Sequence, residues 1–257
     1  MGQVVSFYSF KGGVGRSLLL ANVAVSLAQR ELKVMCVDFD LTSGGLHNFF
    51  GLSSKDLGNT LLDLFDQLSP EDIGRVAIDV SETVGVSSKS GKVWLLPTVA
   101  EPAKLSFTFE VAQDLGASFA VILDEVDELF KPDFVLIDCS SGFSELASGP
   151  ILKADYLICV LRPNKQNSEG IRMLLDILST VGNSPKVLLV LNQVRSVEEL
   201  GVISAIQTGL GPERSFKAVV PYIPEAADIN GMTPKVVCGQ ELTEHMEPII
   251  ARLLGSA

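Results

Sequence analysis

The sequence has few of the residues that build metal clusters and disulfide frameworks. Among its 257 residues there are four cysteines, two histidines and one tryptophan. Zinc sites and iron–sulfur clusters need several closely spaced thiolates or imidazoles, whereas no two of these cysteines form a Cys-x-x-Cys pair. Because most of them lie in or beside apolar runs, we expect buried, reduced thiols. They stand at Cys36, Cys139, Cys159 and Cys238.

Long apolar runs and an excess of basic residues are also missing. No apolar run reaches the roughly 18 residues that a membrane-spanning helix requires, and no basic segment followed by an apolar one opens the sequence, as in a secretory signal. Lys and Arg number 20 against 31 Asp and Glu, which gives a net charge of −11 at pH 7. Such a charge disfavours binding to DNA or to an anionic membrane. We expect a cytoplasmic protein with no direct membrane anchor.

Apolar residues, in contrast, are abundant. They make up 47% of the chain, and the mean hydropathy is +0.34. A chain of this length and composition can bury a large core. No stretch rich in proline, glycine and serine separates two parts of the sequence, so we predict one domain over residues 1–257.

A glycine-rich turn near the start of the chain joins a strand pattern to a helix pattern. The strand is predicted over 3–9 and the helix over 16–29, and Lys-Gly-Gly-Val-Gly-Arg-Ser lies between them at 11–17. Glycines have no Cβ, so the N–H groups of 12–17 can surround an anion at the positive end of the helix dipole. The common phosphate loop is Gly-x-x-x-x-Gly-Lys-Ser/Thr. Here Phe10 replaces the first glycine and Arg16 the lysine.

Two carboxylates follow the second predicted strand, residues 33–37. Strand, loop, helix and strand form a right-handed β-α-β unit, and ligands lie at the carboxyl ends of its strands. Asp38 and Asp40 fall at that end. They could contact Mg²⁺ through water or orient an attacking water. Alternatively, the two carboxylates could cap the loop 41–45.

A third carboxylate, Asp138, ends the apolar run 134–137. Four apolar residues before an aspartate are typical of a strand buried in a parallel sheet. Asp138 could hold the water shell of a Mg²⁺ whose direct ligand is Ser17, and the N–H of Gly142 could bind a terminal phosphate. The alternative is that Asp138 caps a helix at Phe143.

The rest of the pattern alternates strands with helices and predicts an α/β fold: a three-layer α-β-α sandwich around a mostly parallel, doubly wound sheet. His47 has no partner at a suggestive spacing, so we expect it at the surface or half-buried. Further strands are predicted at 92–97, 155–161, 186–191 and 218–223, helices at 107–130, 168–181 and 240–254, short helical pieces at 46–50, 59–68 and 70–73, and a loop at 81–91.

Residues 11–17 resemble the deviant Walker A motif, Lys-Gly-Gly-x-Gly-Lys-Ser/Thr, of the ParA/MinD family of P-loop ATPases, in a variant with arginine. The resemblance implies a SIMIBI-like P-loop fold that binds ATP or ADP with Mg²⁺. It also implies that Lys11 reaches the nucleotide of a second subunit, and that Asp40 is the catalytic residue of switch I. Residues 138–142 match the family's Asp-x-x-x-Gly switch II.

The same resemblance assigns the site residues. Asn192 would read the adenine edge, because an amide both donates and accepts, although it could also be a plain turn residue. The implied catalytic residues are Lys11, Arg16 and Asp40. The implied nucleotide contacts are Gly12, Gly13, Val14, Gly15, Arg16, Ser17, Leu18, Gly142, Asn192 and Pro224. The implied metal contacts are Ser17, Asp38 and Asp138.

The functional hypotheses differ in how far Arg16 allows ATP hydrolysis. Arginine keeps the charge of lysine but is longer, planar and forked, so nucleotide binding should persist while transition-state placement suffers. The first hypothesis is a slow ATPase switch that forms a nucleotide-sandwich homodimer and controls a regulatory or effector protein. The second is a nucleotide-binding interaction module with little or no hydrolysis. A small-molecule kinase or synthetase is a third, for which the sequence offers no substrate loop.

Overall fold

The computed structural model describes residues 1–66, 68–86, 91–99, 115–195, 199–210, 214–224 and 240–255. Within these residues the strands are β1 (Gln3–Tyr8), β2 (Lys33–Phe39), β3 (Ile78–Asp79), β4 (Lys92–Leu96), β5 (Phe134–Cys139), β6 (Tyr156–Leu161), β7 (Lys186–Val194) and β8 (Phe216–Pro221). They form a sheet in the order β3-β4-β2-β5-β1-β6-β7-β8. β3 is antiparallel to β4, and the other neighbours are parallel.

Helices cover both faces of this sheet. They are α1 (Arg16–Gln29), α2 (Leu46–Phe49), α3 (Leu61–Asp66), α4 (Leu115–Phe130), α5 (Glu145–Lys153), α6 (Lys165–Leu178), α7 (Glu199–Leu210) and α8 (Gln240–Leu253), with a 3₁₀ helix at Pro70–Arg75. Successive strand residues point to opposite faces, and in β1 Val4 and Tyr8 enter one apolar cluster while Val5 and Phe7 enter the other. α1 and α8 pack in the second cluster, and α4 to α7 in the first. The predicted three-layer α/β sandwich is confirmed.

Several element boundaries follow from local capping. The bounds of α1 agree with the predicted 16–29. α6 starts at Lys165, three residues before the prediction, because the Asn164 side chain accepts a hydrogen bond from the N–H of Asn167 at 2.9 Å and caps it. β2 continues to Phe39, so Asp38 lies inside the strand. Of the helix predicted over 107–130, residues 107–114 lie outside the described part.

Three described elements were not predicted. α5 contains Pro150, which weakens a helical pattern. α7 has apolar residues around much of its surface and therefore a weak amphipathic signal. β3 has two residues and exists through its pairing with β4. α5 and β3 therefore depend on tertiary contacts, which a local sequence pattern cannot reveal.

The buried polar and sulfur side chains test two further expectations. Cys36, Cys139 and Cys159 are buried and free, as expected, and burial raises the pKa of the Cys139 thiol to about 12; Cys238 lies outside the described residues. The expectation for His47 was wrong, because its side chain is 2% exposed. Burial lowers the pKa of His47. In the described ranges, no helix combines the length and apolar character needed to cross a membrane.

Candidate functional site

A cavity of about 510 Å³ opens at the carboxyl edge of the sheet, where the glycine-rich loop meets the ends of β2, β5 and β7. Its volume falls in the range of small-molecule sites, and its position is where ligands bind in parallel α/β folds. Ten of the predicted site residues line it: Gly12, Gly13, Val14, Gly15, Arg16, Ser17, Leu18, Asp40, Asp138 and Asn192.

The loop conformation depends on its glycines. Gly13 and Gly15 have φ angles of 72° and 87°, in the left-handed region that disfavours other residues. A Cβ on Gly15 would also lie 2.4 Å from the side-chain nitrogen of Asn192. α1 begins at the next residue with no side-chain cap and no acidic residue in its first turn. The backbone N–H groups of this helix start therefore suit a phosphate group.

Phe10 fills the place of the first glycine of the common motif. A Cβ on Gly170 of α6 would come within 2.0 Å of the Phe10 ring, so the ring lies directly on the bare backbone of that helix. The other side of Phe10 meets Phe143 edge to face, with 5.5 Å between ring centroids. Phe10 therefore takes the place of a glycine in the loop, and the facing helix α6 needs a glycine at Gly170 to make room for the ring.

Arg16 is buried and points at the carboxylates. Its Nε donates to Oδ1 of Asp138, one Nη donates to Oδ2 of Asp40 at 3.0 Å, and the other donates to Oγ of Ser9 at 3.2 Å. Burial opposes the charge on the guanidinium, but the carboxylate of Asp138, and that of Asp40 after it, raise the pKa of Arg16 above its ordinary value. Every nitrogen of Arg16 thus has a protein partner in this structure.

Asp138 and Ser17 meet as the magnesium hypothesis requires. The Oγ of Ser17 donates to Oδ2 of Asp138. Burial raises the pKa of Asp138, although Arg16 and Ser17 act in the opposite direction. A hydroxyl and a carboxylate are the hard oxygen donors that suit Mg²⁺, which usually completes its shell with water and phosphate oxygens. In the described ranges, no group of three or more His, Cys, Asp or Glu could hold a metal ion.

Asp38 was predicted as a metal contact, and its side chain does not line the cavity. Its side chain is fully buried, and its Oδ2 accepts from the N–H groups of Gly45 and Leu46 at 2.9 and 3.0 Å. Oδ1 accepts from the N–H of Asp40 at 3.3 Å. Burial and the nearby charge of Asp138 raise the pKa of Asp38 well above its usual range. The capping alternative therefore describes Asp38, because its oxygens are used within the loop and do not face the cavity.

Two predicted nucleotide contacts do not line the cavity, Gly142 and Pro224. Gly142 has a φ of 79°, and its N–H donates to the carbonyl of Ser9 at 3.1 Å, so that group is not free for phosphate in this structure. Pro224 is exposed, while the three residues before it line the cavity. The nucleotide contacts of Gly142 and Pro224 stay predictions.

Lys11 lies at the surface, outside the lining of the cavity of its own chain. Its Nζ lies 5.5 Å from the centroid of the Phe10 ring, a weak cation–π distance. The position leaves Lys11 accessible to another molecule.

Asn192 holds the glycine-rich loop. Its Nδ2 donates to the carbonyl of Val14 at 2.8 Å, and its Oδ1 accepts from the N–H of Gln193 at 2.9 Å. The side chain is 4% exposed. This brace adds a role that the sequence did not indicate, since the contact joins residues 178 positions apart. The adenine contact of Asn192 stays a prediction.

Sequence reasoning missed several residues of the cavity wall. Arg162 follows β6 directly, and its place at a strand end was the available signal. Arg195 stacks on the Tyr222 ring, with 4.4 Å between the guanidinium carbon and the ring centroid. That pair joins β7 to the residues after β8, so only the tertiary fold brings it to the site. The cavity is also lined by Ser9, Ser43, Gly45, Phe49, Ser141, Gln193, Val220, Pro221, Ile223 and Leu242.

A family model, a relative in sequence and solved structures were compared with this chain, and they agree on its family. The AAA domain model (AAA_31) matches residues 2–190. The septum site-determining protein MinD of Helicobacter pylori is 25% identical over 187 residues, which cover 72% of this chain and 62% of that protein. The alignment therefore spans less than two thirds of the length of that relative.

Two solved structures share the fold over nearly all of the chain. MinD of Pyrococcus horikoshii, in complex with Mg-ADP, has a TM-score of 0.69 and 20% identity, covering 98% of this chain and 99% of that one. The MinC:MinD complex of Aquifex aeolicus has a TM-score of 0.73 and 20% identity, covering 100% of this chain and 97% of that one. Together with the family match, these findings show that the chain has a known architecture. The chain belongs to the AAA domain family, and its fold is that of the ParA/MinD-like P-loop proteins.

Proposed function

We propose that this protein is an ATP- and Mg²⁺-dependent molecular switch, which forms a nucleotide-sandwich homodimer and slowly hydrolyses ATP to control a partner protein. The observation that carries the proposal is the convergence of the glycine loop, Ser17, Asp40 and Asp138 on one cavity, with Lys11 exposed outside it. Phosphoryl transfer needs a phosphate cradle, a metal site and a group that positions the nucleophile.

The nucleotide would lie with its phosphates on the N–H groups of residues 12–17. Ser17 and Asp138 would hold Mg²⁺, whose charge offsets that of the phosphate oxygens. The uncapped start of α1 and the hydroxyl–carboxylate pair both fit these groups. The Mg-ADP complex of the Pyrococcus relative, which has the same fold, supports this assignment.

Asp40 would orient the attacking water. Its side chain is 13% exposed and lines the cavity, so it can meet a water there. Oδ2 is held by Arg16, while Oδ1 accepts from the Thr42 hydroxyl at 3.2 Å. These two contacts fix the carboxylate, and each of its oxygens keeps a further lone pair for the water.

Lys11 would complete the nucleotide site of a second copy. Its exposure and its absence from its own cavity support a contact in trans. Release of phosphate would then loosen the dimer and the loops at 38–45 and 138–142, changing the surface offered to a partner. The Aquifex relative, which is in a complex with MinC, supports partner binding as the output.

The dimer test uses Lys11→Ala. With ATP and Mg²⁺, the mass in solution of the wild type should rise to about twice the 27.5 kDa of one chain, while the variant stays monomeric and its phosphate release falls, because the trans contact is lost. Light scattering and a phosphate-release assay measure both quantities. Lys55→Ala, at another exposed lysine, is the control. Unchanged mass and turnover in Lys11→Ala would contradict the switch.

A second candidate function is a nucleotide-binding module with little hydrolysis. Arg16 favours it, because this side chain bonds both Asp138 and Asp40, and a group committed to them is not placed on the transferred phosphate. If the module is correct, the wild type binds ATP with phosphate release near background.

Arg16→Lys separates the two functions. Lysine keeps the charge but cannot bond Ser9, Asp40 and Asp138 at once with a fork, so under the module hypothesis we expect phosphate release to rise by about tenfold or more, equivalent to roughly 1.4 kcal/mol of barrier. Turnover is measured at saturating ATP. Fast turnover in the wild type that Arg16→Lys does not raise would eliminate the module.

A further inference from the structure

The cations that line the cavity are not equally available to a phosphate. Three arginines reach it: Arg16, Arg162 and Arg195. The charge of Arg16 is already matched by the carboxylates of Asp40 and Asp138, and its remaining nitrogen bonds Ser9. A triphosphate carries several negative charges that protein cations and Mg²⁺ must offset. Because Arg16 is paired with these carboxylates, another cation is needed to offset part of the charge of the triphosphate.

Arg195 is also engaged. Its guanidinium lies over the Tyr222 ring at 4.4 Å, and the residue is exposed at the cavity rim. Stacking of this kind orients an arginine along an aromatic face. Its position suits the wall of the cavity rather than the glycine loop.

Arg162 has a buried donor without a partner. Its Nε is enclosed and makes no hydrogen bond, and within the described ranges the side chain forms no ion pair. Buried donors are nearly always satisfied, and an unsatisfied one calls for an explanation such as a ligand. Because no hydrogen bond or ion pair within the described ranges ties down the Arg162 side chain, its guanidinium can turn its N–H groups toward the cavity that the residue lines, and arginine is a typical phosphate-binding group.

The backbone places Arg162 beside the glycine loop and holds it there. β6, which ends at Leu161, is the parallel neighbour of β1, and β1 leads into the loop. The carbonyl of Arg162 accepts from the N–H of Asn164 at 2.7 Å, and Pro163 between them restricts the backbone further. The backbone of Arg162 is therefore fixed at the same edge of the sheet as the glycine-rich loop.

We propose that Arg162 binds the polyphosphate of a nucleoside triphosphate in the cavity of its own chain, in place of Arg16, which the carboxylates hold. The proposal rests on the proposed function, because it takes ATP as the ligand. It differs from the role of Lys11, which acts between chains. Arg162 is a binding residue that distinguishes nucleotides by the length of their phosphate chain.

The test compares Arg162→Gln with the wild type by calorimetry, using a non-hydrolysable ATP analogue and AMP at fixed Mg²⁺. Loss of a charged hydrogen bond weakens binding by about tenfold to a hundredfold, and we expect this loss for the analogue, with AMP affinity changed less than about twofold by the same reasoning. Arg172→Gln is the matched control, since Arg172 is exposed on α6 and does not line the cavity.

Each outcome decides the proposal. Equal affinities of Arg162→Gln and the wild type for the analogue overturn it and leave the proposed function intact. An equal loss for AMP and the analogue also overturns it, because Arg162 would then support the fold. A wild type that binds neither nucleotide refutes the proposed function itself. If Arg162→Gln does not fold, Arg162→Lys decides: a loss confined to the analogue supports the proposal, and an unchanged affinity overturns it.

Discussion

Asp40→Asn is expected to reduce phosphate release by about a hundredfold to ten-thousandfold, the usual contribution of a positioned general base, while ATP binding stays within a few-fold of the wild type. The amide keeps the size of the side chain and an oxygen that can accept from Arg16, as Oδ2 does now at 3.0 Å. It loses the negative charge that orients and activates water. Single-turnover phosphate release and calorimetric ATP affinity, measured side by side, check this expectation.

The control for Asp40→Asn is Asp56→Asn. Asp56 is exposed, accepts hydrogen bonds from Ser53 nearby in the chain and does not line the cavity, so the same chemical change there should leave both measurements unchanged. Phosphate release by Asp40→Asn at the rate of the wild type would show that Asp40 serves only to hold Arg16. A parallel loss of ATP affinity would show a binding role instead.

Gly15→Ala is expected to lower ATP affinity by at least about tenfold and the free energy of unfolding by about 1–3 kcal/mol, the cost of a residue held in a disfavoured backbone region. The φ of Gly15 is 87°, and the new Cβ would lie 2.4 Å from the Nδ2 of Asn192. Asn192 would have to move, and its hydrogen bond to the carbonyl of Val14 would break. Chemical denaturation and ATP titration measure the two losses.

Two variants separate backbone strain from the clash. Gly13 has a φ of 72° but open space where a Cβ would stand, so Gly13→Ala reports strain alone and should cost less than Gly15→Ala. Adding Asn192→Ala to Gly15→Ala removes the clash, so the double variant should lose less than the sum of the single losses. Strict additivity would mean that Asn192 does not constrain Gly15.

The predictable part of the fold came from short-range patterns. The buried strand before Asp138 and the amphipathic stretch after Gly15 place residues on one edge of a sheet whatever the rest of the chain does. The α1 bounds and the position of Ser17 beside Asp138 follow from that logic. The unpredicted α5 and β3 contain a helix-interior proline or only two residues, so their stability comes from neighbours.

The contacts of individual polar groups were much harder to predict. Asp38 and Asp40 are two residues apart, yet one is buried against loop N–H groups and the other lines the cavity, because Asp38 still lies inside β2 whereas Asp40 follows the end of that strand. Gly142 was assigned to phosphate, but its N–H meets the carbonyl of Ser9. Each outcome depends on which of several nearby partners the folded backbone brings within hydrogen-bond distance.

By itself, the sequence determined the α/β class and the phosphate loop of this protein, with a serine and aspartates at strand ends around it, because strand and helix periodicity and glycine spacing are local properties. Only the tertiary structure decided that Arg16 bonds Asp40 and Asp138, that Asn192 braces the loop, and that Arg162 reaches the cavity with a buried, unpartnered Nε. Those contacts join residues far apart in the chain, and burial, which sets the strength of their charges, exists only after the layers have packed.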